Sequence, residues 1–418
     1  MSDPDRRPGS TRDAGCAFEE ACAVADAVLY EGYLLYPYRK SSPKNRVRWQ
    51  FGILAPRAWA EANGPVAPGV SGSVESWQQQ TECLLRADAE AVVRVRVRYL
   101  QMQDRSVERR DPQGRCTPVD SLEAAGVRHL AFDEAVPRES DVVVPLAQLL
   151  AEDREFDCGA PGGEDTEDLP GGVGRLVRRR RPVEARTTLR AERLAGPGSL
   201  YRLRVRTENT GRSTRAGAPR DEALRHALIS AHTFIGGEGL SFLSSVDPPD
   251  EVAAQVRDCR NLHTFPVLAG PEGSDTLVLS SPIILPDHPQ VAPESPGDLH
   301  DAAEIDEILT LRTLLLTDDE KREARATDSR AARILDRVET MPPEVFARLH
   351  GAIRSLTPSA APVCPSADAP DRSVGSPELD GVPVAVGGVR TSAAEPDTQA
   401  AAVPDQEGCH GRHRVAEA

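Results

Sequence analysis

The sequence predicts an α+β protein with an antiparallel, β-rich N-terminal body, a C-terminal helical appendage and a disordered tail. Residues 93–99 and 201–207 alternate apolar residues with arginine, which is typical of strands with one buried face. After residue 298 the apolar residues follow helical spacing, beginning with Ile305, Ile308 and Leu309. Period-2 segments followed by period-3.6 segments predict this order of a β-rich body and then a helical appendage.

The N-terminal part divides into a disordered leader over 1–14 and a β-rich domain over 15–156. An alanine-rich stretch over 16–29 predicts a short helix. Alternation of Val47, Trp49, Phe51 and Ile53 predicts a strand over 47–54. The remaining elements predicted here are a helix over 74–87, a strand that includes 93–99, and strands over 127–133 and 140–146.

Glycine, proline and acidic residues dominate the segment 157–182, which predicts a linker or long loop. A second β-rich part follows over 183–290, and we expect it to pack on the first. Its predicted elements are a strand that includes 201–207, a helix over 221–232, and strands over 240–246 and 276–285.

The helical segment covers residues 291–356. Thr317 and Glu320 have the spacing of a capping box, which predicts a helix start. A further helix carries Ile334, Leu335 and Val338 and ends before two prolines, and a last helix is predicted around Phe346. Residues 357–418 contain too few apolar side chains to form a core, so we expect them to be disordered and dispensable for folding.

Charge and composition limit the function classes. The formal net charge of −15 makes nucleic acid an improbable partner. No apolar run approaches the length of a membrane span, and the N-terminus lacks the apolar core of a signal peptide, so the sequence predicts a cytoplasmic protein. Eight irregularly spaced cysteines without a Cys-x-x-Cys pair predict no metal and no cofactor.

The most unusual segment is the tyrosine block, residues 30–52, which holds four of the six tyrosines and two of the three lysines. Tyrosine and arginine at this density are typical of protein–protein interfaces. The alternatives are tyrosines packed in the core, and bases stacked on the rings beside phosphate-binding cations. The predicted partner-binding residues are Tyr30, Glu31, Tyr33, Tyr36, Tyr38, Arg39, Lys40, Lys44, Arg46 and Trp49.

An enzyme is the second class considered, with a hydrolytic or group-transfer site around Glu31, Tyr33, Lys40 and Cys259. No catalytic motif assigns a nucleophile, so the catalytic residues stay unassigned and an enzyme is the less favoured class. A deep pocket that gathers Glu31, Lys44, Arg46 and Asp306 would favour it. The block carries five cations and the segment 298–307 five acids, so we expect the block to lie close to the appendage.

Several blocks of the sequence form a recognisable set, namely residues 30–39, 44–46, 48–52, 259–261, 266–268, 294–299 and 304–312. In these blocks the sequence resembles an uncharacterised actinobacterial family whose members are encoded beside nickel–iron hydrogenase subunits and their maturation proteins. The resemblance covers roughly residues 20–350, and residues 262–265 depart from it. It implies a hydrogenase accessory or assembly protein whose partner is a hydrogenase subunit or maturation protein.

Overall fold

The computed structural model describes residues 18, 21–46, 48–66, 75–195, 198–290 and 306–342. Within them the chain has the predicted α+β class, with a large antiparallel sheet followed by C-terminal helices. The predicted leader over 1–14, the tail over 357–418 and the helix around Phe346 lie outside the described residues.

The described strands and helices are as follows. The strands are β1 (Gln78–Arg110), β2 (Cys116–Val119), β3 (Ser121–Ala124), β4 (Val127–Leu130), β5 (Phe132–Pro145), β6 (Arg154–Asp157), β7 (Gly163–Asp168), β8 (Gly174–Arg180), β9 (Ala185–Arg193), β10 (Leu200–Asn209), β11 (Ile229–Phe242), β12 (Phe265–Leu268) and β13 (Leu277–Ser281). The helices are α1 (Cys22–Tyr30), α2 (Arg57–Ala60), α3 (Leu146–Ala151), α4 (Arg220–Leu224), α5 (Ala253–Arg257), α6 (Asp306–Leu314), α7 (Asp318–Thr327) and α8 (Ser329–Glu339).

Strand β1 is 33 residues long and organises the sheet. Its alternating residues Val93, Val95, Val97 and Tyr99 are all fully buried, as the period-2 pattern predicts. Along its length it pairs antiparallel with β10, β11, β5, β8 and β2. The strand changes neighbours as it proceeds, so different parts of it contribute to different regions of the core.

Strands from both predicted β-rich parts, 15–156 and 183–290, belong to one 11-stranded sheet. Its main path runs β12-β13-β11-β1-β10-β9-β6, with β2, β5 and β8 paired to β1 and β7 paired to β8. A separate hairpin of β3 and β4 lies beside the sheet. The two parts therefore share one framework.

The segment 157–182 contains a β-hairpin where the composition predicted a linker. Strand β7 pairs with β8, and the acids of one strand oppose the arginines of the other. Glu164 pairs with Arg179 at 2.8 Å, and Asp165 pairs with Arg180 at 2.6 Å. Cross-strand ion pairs of this kind stabilise strands whose composition alone resembles a loop.

Three local predictions were wrong. Residues 78–87 of the segment 74–87 form the start of β1 instead of a helix, and the helix predicted over 221–232 is confined to α4 because β11 begins at Ile229. No strand forms over the described part of 47–54. There the backbone turns through positive φ angles of 60° at Trp49 and 56° at Gly52, which are incompatible with a regular strand.

The helical appendage shares its apolar core with the tyrosine block and β1. The members of this cluster from α6 to α8 include Leu309, Ile334 and Leu335, and those from the body include Leu34 and Leu100. All five side chains are buried. Within the described ranges, no helix is long and apolar enough to cross a membrane.

Candidate functional site

The tyrosine block adopts an irregular but well-connected conformation after α1. The Asn45 side chain accepts a hydrogen bond from the Leu35 amide at 2.8 Å and donates to the carbonyls of Leu35 and Arg39. Tyr38 has a φ of 62°, a conformation that costs free energy for a bulky residue and persists only where its surroundings fix it. Its ring is completely buried. The block is therefore a folded unit of the core.

Arg48 lies at the centre of this unit. Its guanidinium group is 4.2 Å from the Trp49 ring centroid and 3.9 Å from that of Phe132. It donates hydrogen bonds to the backbone carbonyls of Tyr33 and Asp133. Burial lowers the pKa of Arg48 from its ordinary value. The aromatic faces and the carbonyl oxygens replace the water that this cation loses.

The block contacts the appendage at several points. The Tyr33 hydroxyl donates a hydrogen bond to the Asp328 carboxylate at 2.9 Å. Burial raises the pKa of Tyr33 well above its ordinary value, and the Asp328 carboxylate adds to this shift. The Lys40 amide donates to Thr327 Oγ1 at 3.0 Å. Further contacts are Arg39 to Glu320 at 3.1 Å, the Ser41 amide to Glu323 at 2.9 Å, and the Tyr36 hydroxyl to the Arg312 carbonyl at 3.3 Å.

These contacts confirm that the block lies close to the appendage. The acids that meet it come from α7 and the residue that follows it. The predicted acidic partners over 298–305 lie outside the described residues, as do the side chains of Asp306 and Glu307.

Arg105 joins β1 to the same helices. Its Nη2 donates to the carbonyl of Thr327 at 2.7 Å and to that of Ala326 at 3.3 Å, at the C-terminal end of α7. Its Nε donates to the Leu130 carbonyl, and its Nη1 pairs with Glu134 at 2.7 Å. A cation at a helix C-terminus satisfies free carbonyls and opposes the helix dipole.

A cleft of about 940 Å³ opens between the tyrosine block, the β3–β4 hairpin, α4 and α7. Its apolar lining is largely buried, whereas many of its charged groups reach solvent. The apolar lining residues are Trp49, Met102, Leu130, Phe132 and Leu224. The charged lining residues are Lys40, Arg48, Asp104, Asp120, Arg128, Asp133, Arg220, Asp221 and Glu323.

Two of the carboxylates in the cleft, Asp104 and Asp133, lie directly opposite each other on β1 and β5. Burial raises the pKa of Asp133, Arg48 opposes this shift, and Asp104 adds to it. A carboxyl group with a raised pKa in a cleft is a candidate general acid or base.

The predicted site residues are divided by the structure. Four of them are buried, as in the alternative in which the block packs in the core: Tyr30, Tyr33, Tyr38 and Trp49. Partner binding by the rest of the set stays a prediction. Lys40 lines the cleft, Glu31, Tyr36 and Arg39 are half-buried, Lys44 is exposed, and the side chain of Arg46 lies outside the described ones.

The four residues proposed for the enzyme are not all brought together. Cys259 packs near Leu84 and Val252 and does not line the cleft. Burial raises the pKa of Cys259 to about 11, which keeps it as the unreactive thiol at neutral pH. Of the pocket expected from Glu31, Lys44, Arg46 and Asp306, only Glu31 and Lys44 have described side chains, and neither lines the observed cleft.

Sequence reasoning missed the carboxylate pair and the cations Arg128 and Arg220. The pair becomes visible only once β1 and β5 are aligned in register, because the two residues are far apart in the sequence. Arg220 donates to the Trp49 carbonyl at 2.6 Å and pairs with Glu75, which fixes α4 at the cleft. Among the described residues, no group of three His, Cys, Asp or Glu side chains is arranged to hold a metal ion.

No family model matches the chain, and no curated protein matches it.

Proposed function

We propose that this chain is a binding protein that holds a segment of a partner polypeptide in the cleft beside the tyrosine block. The partner implied by the resemblance is a nickel–iron hydrogenase subunit or maturation protein, and the chain acts in the cytoplasm as an accessory or assembly factor. The observation that carries the proposal is the composition of the cleft, which has an apolar floor and charged walls of both signs.

The cleft continues into a second groove. This groove, of about 530 Å³, runs between the β3–β4 hairpin and α7 and shares Arg128 and Glu323 with the cleft. Exposed Val127 lies on its wall. An apolar centre with a polar rim is the usual composition of a protein interface. A continuous groove of this extent suits an extended polypeptide better than a compact small molecule.

Two cations are available for a partner. Arg128 is exposed, and among the described residues neither the Arg128 nor the Lys40 side chain makes a hydrogen bond or an ion pair. The acids Asp104 and Asp120 line the same cleft. The proposed partner segment therefore carries both acidic and basic side chains.

The experiment is affinity purification of the tagged full chain from its native host, with mass spectrometry of the co-eluting proteins. The wild-type chain is compared with the double variant Lys40→Glu/Arg128→Glu. The control, Arg154→Glu/Arg186→Glu, makes the same charge change at exposed positions on β6 and β9. We expect the recovery of hydrogenase subunits or maturation proteins to decrease about ten-fold or more with the cleft variant and to stay at the wild-type level with the control.

Equal recovery of the co-eluting partner with the wild-type chain, the cleft variant and the control variant would contradict binding in the cleft. Selective loss of an unrelated protein would support the binding function and contradict the hydrogenase assignment. Thermal melting of each variant separates lost binding from lost folding.

A hydrolytic enzyme is the second candidate, and the Asp104–Asp133 pair is the observation that favours it. The variant Asp133→Asn removes one titrating carboxyl group and keeps its shape. Hydrogenase maturation that fails in cells while partner recovery stays normal would favour the enzyme over the binding protein.

A further inference from the structure

A second pocket, distinct from the cleft, concentrates positive charge in an acidic protein. It has a volume of about 420 Å³ and lies between α1, β1, β5 and α8. Four arginines line it, against one carboxylate from Asp26. The arginines are Arg98, Arg330, Arg333 and Arg337. We infer that this pocket binds a small molecule that carries two or more phosphoryl groups.

Unsatisfied donors in the pocket point to a ligand. Arg98 Nη2 donates to Asp26 at 2.6 Å and its Nε lies 3.6 Å from Glu139. Its Nη1 is buried and has no hydrogen-bond partner, and the same is true of Arg337 Nη1 among the described residues. Buried polar groups in folded proteins are nearly always hydrogen-bonded, so two orphaned guanidinium nitrogens at one pocket require an acceptor.

Arg330 and Arg333 also line the pocket, and their side chains are held in different ways. The guanidinium group of Arg330 lies 3.3 Å from the centroid of the Tyr30 ring, which holds it at the pocket wall. The side chain of Arg333 is exposed and makes no hydrogen bond or ion pair with any described residue. It is therefore available at the entrance for an incoming anion.

The chemistry of the ligand follows from the number and type of these groups. Guanidinium forks match the tetrahedral oxygens of phosphate and bind them through paired hydrogen bonds. Four such cations against one carboxylate in the lining favour a polyanion over a singly charged carboxylate. A volume of about 420 Å³ also leaves room for a diphosphate with an organic group, within the usual range of small-molecule sites of about 300–1,000 Å³.

The position of the pocket gives the ligand a structural role. Arg98 belongs to β1 in the sheet, whereas Arg330, Arg333 and Arg337 belong to α8 in the appendage. Helix α8 begins after Asp328, the residue that accepts the hydrogen bond from Tyr33. A bound anion therefore bridges the appendage to the body and stabilises the wall of the cleft.

The test measures binding of pyrophosphate and ADP to the full chain by calorimetry and by thermal shift at low ionic strength. Orthophosphate and citrate serve as comparison anions at matched ionic strength. We expect pyrophosphate and ADP to bind and to raise the melting temperature, and both effects to weaken at high salt. Arg333→Ala and Arg337→Ala should each raise the dissociation constant about ten-fold.

The control is Arg115→Ala, an exposed arginine between β1 and β2 that lines neither this pocket nor the cleft and its groove. Its affinity should equal that of the wild-type chain. If Arg337→Ala fails to fold, the test uses Arg333→Ala alone, because the Arg333 side chain is exposed. Absence of binding by both phosphates, or wild-type affinity in Arg333→Ala, would overturn the site. Citrate binding as tightly as pyrophosphate would overturn the assignment to phosphoryl groups.

Discussion

Arg48 illustrates how a charged residue becomes part of a core. It lies between two aromatic rings and donates to two backbone carbonyls. Its sequence neighbours Tyr33 and Trp49 have amphipathic side chains, which occur both on interfaces and in interiors. Sequence reasoning could single out the block by its composition. It could not decide between surface and core, because that depends on Phe132 and the appendage, both distant in sequence.

The arginine row of β1, Arg94, Arg96 and Arg98, lies opposite its buried apolar face and is only partly exposed to solvent. Arg94 and Arg96 are half-buried and pair with Asp141, and Arg98 is only 9 % exposed. Helix α1 covers this end of the row and supplies Asp26. The period-2 pattern correctly identified the strand. It carried no information about which element covers it.

His232 makes a pH-dependent contribution to stability. It is completely buried, its Nδ1 is 2.9 Å from the Ser230 carbonyl, and its Nε2 has no partner among the described residues. Burial lowers the pKa of His232 to about 3. Below about pH 6.5 the unfolded chain therefore binds a proton that the folded chain does not bind.

We predict that stability falls as the pH is lowered from about 6.5 towards 3, and that His232→Phe flattens this dependence. Urea denaturation at a series of pH values measures it. The quantity compared is the slope of the free energy of unfolding against pH, because the substitution also changes packing and so shifts the absolute stability. An unchanged slope between pH 6.5 and 4 would contradict the role of this histidine.

At the scale of elements, some local signals predicted the structure correctly, whereas pairings between distant segments could not be predicted. Thr317 accepts a hydrogen bond from the Glu320 amide, and the Glu320 side chain accepts one from the Thr317 amide. This capping box was predicted from two residues because all its partners lie within one turn. The hairpin of β7 and β8 was missed because its acidic strand is stabilised by arginines further along the chain.

The docking of the appendage depends on Arg105. We predict that Arg105→Ala lowers the free energy of unfolding by about 3 kcal/mol, because Glu134 and the carbonyls at the end of α7 lose their cation. Hydrogen exchange should become faster in α7 and α8. The amides shared by β1 and β11 should remain protected.

The matched control is Arg110→Ala, on the same strand. The partner of Arg110 is the exposed carboxylate of Asp168. Exposed pairs contribute at most about 1 kcal/mol, so exchange in the appendage should be unchanged. Equal effects of the two substitutions would show that the contact of Arg105 with α7 is not specific.

At the scale of the whole molecule, the α+β class was predictable because periodicity reports the type of each element. The union of the two β-rich parts in one sheet was not, since it depends on β1 pairing with strands that begin at Leu200 and Ile229. The cleft also depends on contacts between distant segments, because its lining residues come from five separate stretches of the chain.

Because the appendage completes the core, its removal should damage the whole fold. We predict that deletion of residues 291–418 exposes the apolar side chains that α6–α8 now cover, among them Leu34 and Leu100. The truncated chain should bind a hydrophobic dye and aggregate. Deletion of residues 357–418 alone is the control, and by composition it should fold normally. A monomeric longer deletion without dye binding would contradict the prediction.

The pairing of β1 with distant strands also has a consequence during synthesis of the protein. Its nearest neighbours β2 and β5 leave the ribosome soon after it, but β10 and β11 follow only when the chain has been translated through Phe242. Until then the edges of β1 that these strands will cover remain unpaired. Pairings between distant segments form slowly, and open strand edges attract other chains. We therefore expect the nascent sheet to be prone to association with other chains until β10 and β11 have been synthesised.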